Sequence, residues 1–233
     1  MSVKNHIPNA ITCCNLFSGC VACVMAFAGK FELAMLFIVL GAVFDFFDGL
    51  SARALKVSSP IGKELDSLAD VITFGFAPAA MTFSWLRECA DAHLDMLVAF
   101  AMPFAAFLLV AFSALRLAKF NVDDRQTSSF IGLPTPANAL FWGALVIGSH
   151  DTIVANPYGW ILIMALVLLF SWLLVAEIPM FSLKFKNLTW KSNRTVYIFL
   201  LISIALLIVL GLNGLSAVIG WYIILSVLTQ KRA

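Results

Sequence analysis

Asp45, Asp48, Asp66 and Asp70 stand at the edges of two strongly apolar stretches, in the arrangement D-x2-D-G-x2-A-R-x8-G-x3-D-x3-D, whose other fixed positions are Gly49, Ala52, Arg53 and Gly62. Asp45 and Asp48 are i, i+3 and Asp66 and Asp70 are i, i+4, so on helices each pair shares one face. Along the axis the members of a pair lie roughly one turn, about 5 Å, apart. Two such faces turned toward each other make an oxygen cage suited to one or two hard divalent cations. An apolar surround would not accept four carboxylates without metal or water, because each buried charge costs several kcal/mol. Gly41, Ala42, Gly49, Ser51 and Ala52 frame the acids. Of these, Gly49 and Ala52 leave space for a ligand against the helix backbone, with Arg53 beside them as an anion partner. Metal-bound acids beside an arginine and a small-residue gap suit a phosphate-bearing substrate better than a bare ion. The cation would bridge phosphoryl oxygens and neutralise charge as a bond to phosphorus breaks.

The elements that must position these acids follow from composition. The chain is 62% hydrophobic and 12% charged, with a mean hydropathy of +0.98, a balance that excludes an ordinary soluble domain. Apolar runs long enough to cross about 30 Å of hydrocarbon recur along its length. They predict spans near 10–29, 32–52, 65–87, 95–118, 136–153, 158–176, 196–212 and 214–229. The expected fold is an all-α, polytopic transmembrane helix bundle of about eight spans, with residues 1–233 as one domain. With the N-terminus inside, thirteen of the fifteen basic residues fall on the inner side, leaving only Lys30 and Arg87 outside. This bias predicts cytoplasmic termini and an active site toward the cytoplasm. The net charge of +2 therefore marks topology and gives no sign of nucleic-acid binding. Lys4, the apolar run after it and Ala26-Phe27-Ala28 imitate a cleavable signal. The run is long and carries Thr12, Asn15 and Ser18, so retention as the first span is expected.

The segment Ala54–Gly62, with Ser58, Ser59 and Pro60, breaks the second helix from the third and places the two acid pairs on antiparallel neighbours. Gly132-Leu133-Pro134-Thr135-Pro136 forms a rigid approach to the fifth span, and Lys184 to Arg194 a basic inner loop. Glu177, shortly before Pro179, ends the sixth span and could face the cavity. His6, His93 and His150 read as interfacial residues. Asp91, His93 and Asp95 could hold a metal loosely, on the wrong side for this chemistry. The five cysteines, four of them in the first span, are assigned no role.

The acid pattern matches every fixed position of the CDP-alcohol phosphatidyltransferase signature, and the chain resembles that family's phosphatidylserine synthase branch well beyond it. The resemblance runs through Ile7-Pro8-Asn9-Ala10-Ile11-Thr12, Asn15-Leu16, Gly19, Leu65 to Val71 and Phe74 to Pro78, then Leu115 to Asn121 and Phe130 to Ala137. It covers roughly residues 7–137, the last three spans matching by hydropathy alone. It implies a membrane transferase that joins CDP-diacylglycerol and L-serine to give phosphatidylserine and CMP, in the cell membrane of a prokaryote. The implied cofactors are Mg²⁺ or Mn²⁺, two ions held by Asp45, Asp48, Asp66 and Asp70. Asp70 would be a ligand, the base for the serine hydroxyl, or both. Asn9, Thr12, Asp48, Gly49, Ala52, Arg53, Gly62 and Lys63 would hold the CDP-lipid, and Arg116 and Asn121 are the candidates for serine. A homodimer is compatible with this reading.

Elementary chemistry agrees with these roles. Serine's hydroxyl is a poor nucleophile at neutral pH, so a positioned carboxylate and a polarised phosphorus are natural requirements. An arginine at the inner end of the fourth span suits serine's carboxylate. Two alternatives stay open at the level of sequence. The signature handles the CDP-lipid, so glycerol 3-phosphate, inositol phosphate or choline could replace serine as acceptor. Paired intramembrane acids also occur in divalent-cation transporters, against which stands an arginine placed beside the acids.

Overall fold

The computed structural model describes residues 6–57, 59–123, 130–181, 190–211 and 213–229. Lys4, Ser58, Arg125, Lys184, Lys186, Lys231 and Arg232 lie outside the described residues. Among the described residues the helices form eight rods. The first two are α1 (His6–Phe27) and α2 (Phe31–Leu55). The third rod joins α3 (Pro60–Asp70) through a π-helical turn (Val71–Phe76) to α4 (Ala77–His93). The fourth joins α5 (Met96–Ala101) through a 3₁₀ turn (Met102–Phe107) to α6 (Leu108–Val122). Then follow β1 (Phe130–Ile131), α7 (Thr135–Val154), α8 (Gly159–Val175), β2 (Pro179–Met180), α9 (Trp190–Leu210) and α10 (Asn213–Thr229). The expected all-α helix bundle is the observed one, with a short antiparallel ladder added in which Phe130 opposes Met180 and Ile131 opposes Pro179.

Local chemistry explains the boundaries that differ from expectation. α2 continues to Leu55 and ends on Lys56 in the left-handed region (φ 51°, ψ 44°). There Lys56 N–H donates to the Arg53 carbonyl and Val57 N–H to that of Ala52, a reciprocal closure usually built on glycine. α3 starts at Pro60, five residues before the predicted span. Pro60 supplies a fixed φ at the first turn, and Ser59 Oγ accepts from Gly62 N–H at 3.0 Å. All four signature acids thus lie on helix. The π turn ends against Pro78, which has no N–H for the Phe74 carbonyl and would crowd it in a normal turn. Ala77 N–H instead reaches Ile72, five residues back.

His6–Phe27, Phe31–Leu55, Met96–Val122 and Asn193–Leu210 are long and apolar enough to cross a membrane, and Gly159–Val175 and Asn213–Thr229 are shorter apolar helices. Phe17, Leu201, Ile208 and Val209 are at least 70% exposed, a surface suited to lipid and unsuited to water. The chain is an integral membrane protein. Inside the bundle, Ala22, Ala26, Ala34, Ala69, Ala77 and Ala80 are fully buried, which lets helices approach closely where apolar burial gives little driving force. Trp85, Trp142, Met81 and Ile38 fill the centre. Helices also approach closely around Thr73, where a methyl group on Gly19 or on Gly41 would overlap the threonine side chain. α1 and α2 are thereby held against the turn that follows Asp70.

Candidate active site

α2 and α3 both pack against α1, and their acidic side chains converge on one another. One oxygen from each of Asp45, Asp48 and Asp66 lies within 4.8 Å of the others. Asp48 is buried, and Asp45 and Asp66 are half-buried. Among the described residues no Lys, Arg or His forms an ion pair with any of the four acids. Asp66 Oδ1 is buried with no hydrogen-bond partner. Converging half-buried carboxylates, one with an orphaned oxygen, leave their mutual repulsion uncompensated by protein. An all-oxygen donor set of this kind fits a hard divalent cation.

Asp70 stands apart from that trio. It is 8% exposed, one turn deeper on α3, and its Oδ1 accepts from Asn15 Nδ2 at 3.2 Å. Thr73 Oγ1 donates to the Asn15 carbonyl at 3.1 Å, so Asn15 fastens α1 to the third rod both at Asp70 and at the turn after it. Asp48 is tied to α1 in the same manner. Thr12 Oγ1 lies 2.6 Å from Asp48 Oδ2 and 3.0 Å from the Pro8 carbonyl, and its single proton goes to the nearer, charged acceptor.

A cavity opens beside the trio at the α2–α3 connection. Its walls include Asn9, Thr12, Asp48, Gly49, Ala52, Gly62 and Lys63, seven of the eight residues expected to hold the CDP-lipid, together with Asp66. Arg53 is not in the wall. Its guanidinium lies along α2, with an Nη atom 3.4 Å from where a Gly49 side chain would begin. The walls also contain Pro8, Val57 and Ser59, which the reading of the sequence did not assign. Asn15 was likewise missed, although its presence within an apolar first span was the available signal.

The two acceptor-side candidates occupy different places. Asn121 Nδ2 donates to Ser67 Oγ at 2.8 Å, and its carbonyl accepts from Lys63 Nζ at 2.7 Å, so it ties α6 to α3. Arg116 is 7% exposed, sits near the Phe120 ring (5.8 Å to its centroid), and lies close enough to Asp70 for the charges to act on each other. Its Nε has no hydrogen-bond partner. Arg116 lines a second, smaller cavity with Lys119, Asp123, Ile131 and Glu177. At the far end of the bundle His93 Nε2 contacts the Val154 carbonyl and Asp91 pairs with Arg87. Asp91, His93 and Asp95 do not converge as a metal-binding group.

The CDP-alcohol phosphatidyltransferase family model matches residues 5–176. A protein of Helicobacter pylori strain J99 named CDP-diacylglycerol–serine O-phosphatidyltransferase is 31% identical over 229 residues, covering 95% of this chain and 89% of that protein. Proteins of the same name from Bacillus subtilis and Saccharomyces cerevisiae are each 37% identical. They align with 57% and 61% of this chain and with 70% and 52% of their own lengths.

Proposed function

The chain belongs to the CDP-alcohol phosphatidyltransferase family, and from that membership we propose that it transfers the phosphatidyl group of CDP-diacylglycerol to the hydroxyl of L-serine. The products are phosphatidylserine and CMP. The observation that carries the reading is the convergence of Asp45, Asp48 and Asp66 beside a cavity walled by Gly49, Ala52 and Gly62. Glycine and alanine there admit a diphosphate to the helix backbone, and the relatives named above carry the name of this activity.

Asp45, Asp48 and Asp66 would hold Mg²⁺ or Mn²⁺, two ions in this proposal, with Asp70 as a further ligand. Bound there, the metal supplies Lewis-acid polarisation of the diphosphate and neutralises the charge that builds on the departing CMP. The chain's own groups do the rest. Asn9, Thr12, Lys63 and Arg53 orient the CDP moiety. The serine oxygen attacks the phosphorus that bears the diacylglycerol, a new O–P bond forms, and the bond from that phosphorus to the CMP oxygen breaks. Asp70 takes the hydroxyl proton, for which its place outside the trio and its orientation by Asn15 suit it. Arg116 receives the serine carboxylate, and Asn121 holds α6 in register with α3 beside it.

The basic-residue bias supports an inner-membrane protein with cytoplasmic termini, where both CTP-derived lipid and serine are at hand. All 233 residues form one domain in this reading, supported by Tyr222 of α10 donating to the Phe181 carbonyl. A homodimer belongs to the same proposal and is read by the native mass of the solubilised protein. The activity itself is tested by supplying purified protein and CDP-diacylglycerol with L-serine, glycerol 3-phosphate, inositol phosphate or choline. CMP release with L-serine alone is the expected result. Release with another acceptor and none with serine would reassign the substrate.

A further inference from the structure

We infer that the end of the bundle far from the acids binds one glycerophospholipid whose headgroup carries both a phosphate and an ammonium. The phosphate meets Arg87, the ammonium meets Asp91, and an acyl chain lies in the cavity between the third and fourth rods. That cavity measures about 640 Å³, within the range of roughly 300–1,000 Å³ usual for a bound small molecule. Phe83, Arg87 and Asp91 line it from α4 at i, i+4 and i+8, a strip about 12 Å long on one helix face. Leu97, Phe100 and Phe104 line it from the fourth rod. Ala99 and Pro103, both buried and both in its wall, are small enough to leave the gap between the rods.

The strip changes character along its length. At the deep end the Phe83 and Phe104 rings meet edge to face with centroids 5.3 Å apart, and Phe104 meets Phe100 at 5.8 Å. Toward the end of α4 stand the two charges. An apolar floor below a charged mouth has the outline of an amphiphile, and Leu97 and Phe100 are exposed, so a chain enters sideways from surrounding lipid without crossing water. Arg87 Nε and Asp91 Oδ2 lie 3.8 Å apart, with their side chains 66% and 61% exposed. That separation is too long for a hydrogen bond, and an exposed pair of this kind contributes little, so a headgroup that meets both charges loses little by parting them. A guanidinium suits phosphate oxygens, and a carboxylate suits an ammonium. Among the described residues this end of the bundle carries the acids Glu32, Glu88, Asp91, Asp95 and Asp151 against the bases Lys30 and Arg87. Such a surplus of negative charge disfavours an anionic headgroup and favours a zwitterionic one.

The test titrates purified protein in detergent with dipalmitoyl phosphatidylethanolamine, dipalmitoyl phosphatidylglycerol or palmitate, and reads bound lipid by native mass spectrometry. The expected result is one phosphatidylethanolamine held about fivefold more tightly than phosphatidylglycerol, the reach of one exposed charge contact, with palmitate weaker still. Arg87→Gln should weaken both phospholipids about fivefold, and Arg87→Lys should keep most of their binding. Asp91→Asn should remove the preference by weakening phosphatidylethanolamine alone, and Phe100→Ser should weaken all three ligands. The altered side chains are exposed, so each variant should elute as the unaltered protein does in gel filtration. Equal affinity of the unaltered protein for the two phospholipids overturns the inference, because it describes an unselective lipid coat. A preference that survives Asp91→Asn, or phospholipid binding that Arg87→Gln leaves unchanged, overturns it as well. A dimer that excludes the lipid and that Phe100→Ser dissociates would assign this face to a second copy of the chain, again overturning the inference.

Discussion

Asn15 on α1 donates its side-chain amide to Asp70 on α3 across 3.2 Å, while its own Oδ1 is buried with no partner. The residue therefore contributes to the orientation of the proposed base and carries an unsatisfied acceptor in doing so. Activity and stability are set against each other at this position.

Asn15→Leu should consequently lower kcat by about 10- to 100-fold, the worth of roughly 1.5–3 kcal/mol for a hydrogen bond to a charged group. The melting temperature should hold or rise, because the orphaned oxygen is removed. Turnover with serine and thermal unfolding, measured on the same preparation, check both signs. A variant that is less stable and fully active would contradict this account of Asn15.

Gly19→Ala and Gly41→Ala should each destabilise the protein by about 1–3 kcal/mol, the usual cost of overpacking, since both new methyl groups meet Thr73. The two differ in what they strike. The atom nearest a Gly41 methyl is the Thr73 Cγ2, whereas a Gly19 methyl meets Thr73 Oγ1 and backbone atoms at 2.9 Å. Thr73→Ser should thus partly rescue Gly41→Ala, whose methyl also meets Asn15 Oδ1 at 2.9 Å, and leave Gly19→Ala unrescued, as read by melting temperature in detergent.

Chelation should abolish turnover, and Mg²⁺ or Mn²⁺ should restore it better than zinc, because the donor set is all oxygen. Asp45→Asn, Asp48→Asn and Asp66→Asn should each reduce turnover by orders of magnitude. Calorimetric binding of Mn²⁺ to the protein without substrate gives a second readout, which these variants should weaken. Full activity in excess chelator would remove the cage from the mechanism.

Accessibility labelling on a background without native cysteines tests sidedness. Lys56→Cys, at the exposed end of α2, should resist an impermeant reagent in intact cells, and Asp91→Cys should react. The reverse pattern would invert the topology and separate the site from the cytoplasmic nucleotide pool.

The acids were legible in the sequence because charge within an apolar run has no structural explanation, and the spacing then dictated which faces they share. The all-α membrane bundle was legible for the same reason that hydropathy works: lipid demands whole helices. Three features were not. The role of Asn15 depends on which face of α1 meets α3, and α1 shows no strong polar stripe to reveal it. The ladder of Phe130–Ile131 with Pro179–Met180 joins segments far apart in the chain, and two-residue strands carry no period. The engagement of the Asn121 amide and carbonyl with Ser67 and Lys63 is a pairing that only the packing of α6 on α3 reveals.

The wide turn over Val71–Phe76 has a further consequence for the third rod. In an uninterrupted α-helix each residue advances the azimuth by about 100°, so the directions of Asp66 and Asp70 would dictate where Trp85 and Leu86 point. Winding the turn wide breaks that dependence, like a slipped gear tooth between two halves of one shaft. The acid-bearing half can be aimed at the α2 acids and the packing half at α7, each without compromise. The joint therefore uncouples the two halves: the part below Phe76 can be re-aimed without turning Asp66 or Asp70 out of place.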